Sequence, residues 1–368
     1  MSFGSISASF APFWYATQLI NIAPECYAGG LRIGILRFVN ISTSLPVIDL
    51  GLASQGAEAR STLARELDHA CSEFGFFYLT GHGVDARSAD GLFTLAREFF
   101  ARDQAEKMQI HMSRGGRAWR GYFPVGGELT SGQPDLKEGL YFGTELDDSD
   151  PRVRAGIPMH GRNLFPDVPS IRSSVLEYMS ALENAGQQVL SLMAEGLRLD
   201  ADYFRRQFTA DPTVLFRIFR YPPDEAAREG WGVGAHTDYG LLTLLQQDAV
   251  GGLQVLNRDR WLDVPPLAGS LVCNVGDMLE RLTNGRYLSA LHRAKNLSAR
   301  ERLSMVLFLD PSFDAKLEPL PGVVPDTSQP HTNVRWDRID PHTMQGTYGE
   351  YLLSKVSKVF PELAPAVL

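Results

Sequence analysis

The chain has 368 residues, 44% hydrophobic and 21% charged, a globular composition that excludes a disordered, fibrous or coiled-coil protein. Its 35 Lys and Arg against 43 Asp and Glu leave a net charge of −8 and no basic stripe, so a small molecule, not nucleic acid, is the expected partner. Cys26, Cys71 and Cys273 show no C-x-x-C spacing, which fits neither a disulfide framework nor a zinc knuckle and suits a reducing, cytoplasmic setting.

Residues 1–24 carry no charged side chain, yet they lack the basic segment of an export signal and the unbroken apolar run of a membrane span. Residues 1–44 therefore read as an N-terminal extension, loosely held or disordered, ahead of the domain. Pro46-Val47-Ile48-Asp49-Leu50 reads as a strand, and residues 57–73 place Leu63, Leu67, Ala70 and Cys71 at helical spacing. An aromatic strand over 74–79 ends in the turn Thr80-Gly81-His82-Gly83, where the His82 ring is expected to bond backbone. A second helix is expected over 86–110, burying Leu92, Leu95, Phe99 and Phe100. Residues 114–165 are Gly-rich and poor in helical pattern, and a loop of this length inside a compact domain is expected to be functional or disordered.

Helices resume over 170–197 and 201–208. From 214 onward the pattern changes to short β-type runs at 214–221, 241–246, 252–256, 261–264, 271–275, 288–296 and 302–309, the spacing of a sandwich or barrel. A last helix over 347–359 carries Tyr348, Tyr351, Leu352 and Val356 on one face. The fold class that follows is a mostly β core with flanking helices. Its parts are a helical N-terminal region over 45–200 with substrate-lining loops, a β core over 201–320, and a tail over 321–368, with 45–368 forming one structural domain.

His236 and Asp238 stand two apart, and in extended backbone positions i and i+2 project from the same face. His292 lies in a later β-type run. Two histidines and one carboxylate on sheet positions make the facial triad of a non-haem Fe(II) site, which leaves coordination positions open. Zinc is the competitor, but the H-E-x-x-H helix that usually supplies such a set is missing from the sequence. Ten residues after His292 comes Arg302-Leu303-Ser304, a second i, i+2 pair on a strand whose Met305, Leu307 and Leu309 are apolar. A guanidinium beside an iron site needs an anion, and its planar fork matches a carboxylate while the Ser304 hydroxyl adds another hydrogen bond.

The order His236-x-Asp238, His292, Arg302-x-Ser304 resembles the 2-oxoglutarate- and Fe(II)-dependent dioxygenases of the isopenicillin N synthase-like group. Further segments of the same likeness are Gly75-Phe76-Phe77, His82-Gly83-Val84, Arg220-Tyr221-Pro222-Pro223, Gly251-Gly252-Leu253-Gln254-Val255, Asn274-Val275-Gly276-Asp277 and Thr283-Asn284-Gly285. Residues 234–242 and 128–134 also resemble the bacterial ethylene-forming enzyme of this group. The resemblance implies a double-stranded β-helix, or jelly roll, with Fe(II) held by His236, Asp238 and His292. It implies 2-oxoglutarate and O2 as co-substrates, ascorbate as a stimulant, and Arg302, Ser304 and Tyr221 as the contacts of 2-oxoglutarate. The expected reaction is hydroxylation of a C–H bond in a small metabolite with release of succinate and CO2, in a setting of specialised metabolism such as antibiotic biosynthesis.

Departures of the chain keep alternatives open. Phe219-Arg220-Tyr221-Pro222 replaces the Asn-Tyr-Tyr-Pro common in plant relatives, which bears on Tyr221. An oxidase that needs no 2-oxoglutarate, an ethylene-forming oxygenase, and a non-catalytic binding module remain rival readings. Substrate contacts are expected from the helix-poor stretch, with Arg120, Tyr122, Phe123, Glu138 and Tyr141 as candidates and His160 as a further one. Cys273 should be an inert buried thiol and Asp277 a turn residue capping backbone amides. No nucleic-acid or membrane partner is expected, and a monomer is favoured.

Overall fold

Side chains alternating across a strand give a sheet one face for the core and one for its partner layer, and this chain uses the rule to enclose a cavity between two sheets. The computed structural model describes residues 44–223, 230–324 and 335–367, so the expected extension over 1–44 lies almost wholly outside the described residues. Strand β1 (Val47–Asp49) pairs in parallel with β2 (Phe76–Thr80), and the intervening helix α1 (Ala57–Glu73) buries Leu63, Leu67, Ala70 and Cys71. Gly75 makes the turn from helix to strand at φ 65°, where a Cβ would lie 2.0 Å from the Leu288 carbonyl oxygen. Only glycine fits there.

Helix α2 (Ala86–Phe100) starts at Asp85, whose carboxylate accepts from the Arg87 amide at 3.0 Å. It stops ten residues short of the helix expected from the sequence. Asp103 takes an extended backbone, and a separate short helix α3 (Gln104–Lys107) turns the Lys107 ammonium inward to Glu138 at 2.8 Å, so a tertiary ion pair ends the local periodicity. The stretch read as loop holds two strands, β3 (Gly121–Phe123) and β4 (Glu138–Gly143), followed by a short helix α4 (Pro151–Arg154). Every residue of both strands is buried, which removes the polar alternation that would have announced them.

Helix α5 (Ile171–Gly196) lies against strands of the larger sheet, and a Cβ on its Gly186 would stand 2.8 Å from Leu309 and 3.2 Å from Leu244. The missing side chain lets helix and sheet approach closely. Helix α6 (Tyr203–Gln207) leads to β5 (Thr213–Tyr221), β6 (Val233–His236), β7 (Leu242–Gln247), β8 (Leu253–Asn257), β9 (Arg260–Val264) and β10 (Leu271–Val275). A short helix α7 (Asp277–Leu282) precedes β11 (His292–Ala294), the long β12 (Arg302–Asp310) and the C-terminal helix α8 (Tyr348–Val359).

The described strands form an eight-stranded sheet in the order β1-β2-β10-β7-β12-β5-β4-β3 and a four-stranded sheet in the order β6-β11-β8-β9. This is the jelly-roll core with helices on its outside. Thr347 and Glu350 close a reciprocal capping box at the start of α8, and Tyr348 and Tyr351 donate to Asp310 and Asp277. Asp277 thus departs from its expected role. Its carboxylate accepts from Ser289, Arg335 and Tyr351 and ties residues distant in the chain together, because the site is fully buried and side-chain donors crowd it.

Candidate active site

Strands β6 and β11 are neighbours in the small sheet, with His236 directly opposite His292. Their ring centroids therefore stand 4.2 Å apart, and Asp238, two residues past His236, places Oδ1 3.7 Å from the Nε2 of each. One ligand atom from each of the three side chains falls within 4.8 Å of the others. Each imidazole is oriented from behind: Nδ1–H of His236 donates to the Gly234 carbonyl at 2.8 Å and that of His292 to the Ala290 carbonyl at 3.1 Å. Both Nε2 lone pairs then face the common centre, the arrangement a metal selects.

Asp238 divides its oxygens. Oδ2 accepts from Thr243 at 2.6 Å and Asn274 at 2.7 Å, which leaves Oδ1 for the centre. Burial would raise this carboxyl, but the two imidazoles and the two hydrogen bonds hold it below the usual range, so it stays anionic. Burial and the neighbouring His292 depress His236, keeping it neutral. An anionic oxygen and two neutral imidazole nitrogens are the donor set of a divalent transition metal, and the residues present fit Fe(II).

The inward row of β12 runs Arg302, Ser304, Val306, Phe308, Asp310, and that of β5 runs Leu215, Arg217, Phe219, Tyr221, all lining the same cavity as the triad. Arg302, 1% exposed, pairs with Tyr221 across the strands and lies over its ring at 4.5 Å. Its Nε donates to Gly251 O at 2.6 Å and Nη2 to Gln247 at 3.4 Å. Nη1 remains buried without a partner. Such an orphan donor costs a few kcal/mol unless a ligand satisfies it, and a carboxylate is the group that matches.

The five expected substrate contacts lie elsewhere; none of them lines the cavity. Arg120 is buried against Gly143 and donates to Met159 O at 3.0 Å. Glu138 accepts from Lys107, Arg220 and Tyr122, a structural ion cluster that holds α3 to the sheet. Phe123 packs among Tyr141, Phe219 and Phe360, so the last two of its neighbours reach the cavity while it stays behind them. Tyr141 donates to Glu128 and carries the Arg217 guanidinium over its ring at 4.2 Å. His160 bonds Pro158 O at 2.8 Å and packs on Phe313. His82 accepts from the Val84 amide, and burial pushes the Cys273 thiol up, out of reach of ionisation.

In their place the cavity receives Glu128, Thr130 and Lys137 from the β3–β4 region, Arg217 from β5, and Leu352, Val356, Val359 and Phe360 from the end of the chain. Lys137 is 2.8 Å from Glu128 and 2.5 Å from Asp135. Arg217 had a legible signal, since it occupies the face of Tyr221 at even spacing inside an apolar strand. The α8 residues had none, because an apolar helix face does not say what it covers.

Fold and constellation together define a jelly-roll protein with a buried two-histidine, one-carboxylate centre and, in the same cavity, a buried arginine with an unpartnered Nη1. Residues 45–168 match the N-terminal family of the non-haem dioxygenase in morphine synthesis, and residues 212–311 match the 2OG-Fe(II) oxygenase superfamily. The chain is 43% identical over 351 residues to a Dictyostelium discoideum protein named an iron/ascorbate oxidoreductase, covering 88% of this chain and 97% of that one. It is 36% identical over 361 residues to the 1-aminocyclopropane-1-carboxylate oxidase of the same organism, covering 86% and 95%. A crystal structure of a protein from Caulobacter crescentus, described as of the 2OG-Fe(II) oxygenase family, superposes with a TM-score of 0.71 at 30% identity over 86% of this chain and 99% of that one. The chain belongs to the 2-oxoglutarate- and Fe(II)-dependent oxygenase superfamily, and its cofactors are Fe(II), 2-oxoglutarate and O2. No helix among the described residues is long and apolar enough to cross a membrane.

Proposed function

We propose that the protein hydroxylates a C–H bond of a small metabolite, with His236, Asp238 and His292 holding Fe(II) and Arg302, Ser304 and Tyr221 holding 2-oxoglutarate. The observation that carries the reading is the orphaned Arg302 Nη1 in the cavity that the triad also lines. Bound Fe(II) and 2-oxoglutarate would supply the oxidising chemistry: O2 and 2-oxoglutarate are consumed, CO2 and succinate leave with one oxygen atom retained in succinate, and the other oxygen atom enters the substrate C–H bond as a hydroxyl. The chain's own groups position and shield. Gly251 and Gln247 hold the Arg302 fork, so the distal carboxylate of 2-oxoglutarate meets a donor already aimed. The Ser304 hydroxyl, 1% exposed on the same row, supplies a further donor to that carboxylate. Leu352, Val356 and Val359 cover the other wall and keep water from it.

The test is succinate release by purified protein with Fe(II), ascorbate and 2-oxoglutarate. Turnover should require Fe(II), rise with an accepted substrate, and vanish in His236→Ala. Arg302→Leu should raise the KM for 2-oxoglutarate about 100-fold, the cost of removing one partner of a buried charged pair.

A further inference from the structure

The small sheet has a second face. His292 and Ala294 turn into the cavity, so Arg293 between them turns outward on β11, beside Gln254 of β8, which in turn neighbours Asp263 of β9. One hydrogen-bonded row crosses the three strands: Arg293 Nε donates to Gln254 Oε1 at 2.9 Å, and Gln254 Nε2 donates to Asp263 Oδ1 at 2.8 Å. The Trp231 and Trp261 rings enclose the Arg293 guanidinium at 4.0 and 3.8 Å. Stacking stiffens the fork and strips water from its faces, but it leaves the edge that carries Nη1 and Nη2. Burial lowers the Arg293 guanidinium, and no carboxylate raises it. Among the described residues neither Arg293 nor Asp263 has an ion-pair partner, so one face presents two unanswered charges of opposite sign.

A row positive at one end and negative at the other, two strand spacings or about 10 Å apart, is complementary to itself. A half-turn about an axis along β8 through Gln254 sets each Asp263 over the other copy's Arg293 and brings the two Gln254 amides face to face. A second copy thus supplies both missing charges at once, whereas a merely acidic partner would answer Arg293 and repel Asp263. The surroundings suit such a contact. Trp231, Leu256 and Trp261 stand half-buried beside the row, and Trp and Arg are the residues that interfaces concentrate. Helices α1 and α5 lie against the large sheet, and no described helix packs extensively on the small one. Four strands of at most five residues make a face about 15–20 Å on a side, which is the size of a weak contact.

We propose that the outer face of the small sheet is the contact of a weak two-fold dimer of this chain, in which Arg293 of each copy meets Asp263 of the other. The monomer expected from the sequence then holds only at low concentration. Sedimentation velocity of the purified full-length protein, from about 1 to about 300 µM, should show monomer and dimer in exchange with a dissociation constant of about 10–100 µM at low salt. Raising the salt to about 500 mM should weaken it further. Arg293→Glu and Asp263→Arg, taken singly, each set like charges together twice per dimer and should weaken association at least about 10-fold. The double variant should recover the parent's dissociation constant. An equimolar mixture of the two single variants should also dimerise, because every contact in the mixed pair then joins opposite charges; this arm guards against misfolding, since only folded variants can rescue each other. A parent that stays monomeric at about 300 µM overturns the proposal, as do single reversals that leave the dissociation constant unchanged. A double variant and a mixture that both remain monomeric while melting like the parent overturn it too, since the two residues then do not meet.

Discussion

At the scale of single residues, the division of labour between the two Asp238 oxygens decides how the centre is held. Thr243 and Asn274 occupy Oδ2, so rotation of the carboxylate is blocked and Oδ1 stays between the imidazoles. Asn274 therefore acts through Asp238 as a positioning residue. Asn274→Ala should weaken Fe(II) or Mn(II) binding about 10- to 100-fold, the usual cost of losing such a support, as read by metal titration under nitrogen. A merely structural role would lower thermal stability and leave the affinity of the folded protein unchanged. Gly232 bears on the other half of the site: a Cβ there would stand 2.5 Å from the Tyr221 ring, and Tyr221 lies beneath Arg302. This close approach thus sets the height at which the Tyr221 ring carries the Arg302 guanidinium.

Among the elements, α8 has the most consequence for its size. It follows the last core strand, yet its Tyr348 hydroxyl reaches Asp310 at the end of β12 and its Tyr351 hydroxyl reaches Asp277 at the start of α7. Both acids are buried, so the helix is pinned over the cavity by polar contacts in addition to its apolar face. Burial pushes the Asp310 carboxyl up to about 7. An unfolded carboxyl titrates near 3.9, so between about pH 4 and 7 the folded state holds the proton that the unfolded state has lost. The stability contributed by protonated Asp310 is whole below about pH 4 and is lost as pH rises through about 7. Asp310→Asn, which keeps an acceptor for Tyr348, should be more stable than the parent at pH 8 by up to about 4 kcal/mol, with the difference shrinking toward pH 4. Denaturant unfolding at pH 4.5, 6 and 8 measures it; a constant difference would show that Asp310 is ionised in the fold throughout.

For the molecule as a whole, the site is a seam. The small sheet brings the histidines, the large sheet brings Arg302, Ser304 and Tyr221, and the C-terminal helix closes the space between them. Ligands that bridge a seam stabilise everything on both sides. Mn(II) with 2-oxoglutarate, each near 100 times its dissociation constant, should contribute about 2.7 kcal/mol per site and raise the melting temperature by several degrees. The same additions to His292→Ala should give no metal-dependent shift, and to Arg302→Leu no shift from 2-oxoglutarate. A rise in the His292→Ala protein equal to that of the parent would place the metal elsewhere.

The sequence by itself carried the chemistry and much of the scaffold. His236-x-Asp238 and Arg302-x-Ser304 are legible because spacing of two in extended backbone is a local rule, α1 and α5 because their burial periods are local too, and the strands over 271–275 and 302–309 because short apolar runs between turn residues can be read in place. The break in the helix at Asp103, the strands β3 and β4 and the hub role of Asp277 were not, since each depends on a partner far along the chain: Glu138 for Lys107, β5 for β4, Tyr351 for Asp277. The cavity wall is the extreme case. Arg120, Tyr122, Phe123, Glu138 and Tyr141 have the residue types of ligand contacts but spend them on one another and on the core, whereas Arg217 and α8 meet the cavity. Periodicity tells which face a side chain takes, and only the closing of the two sheets under α8 decides what stands opposite that face.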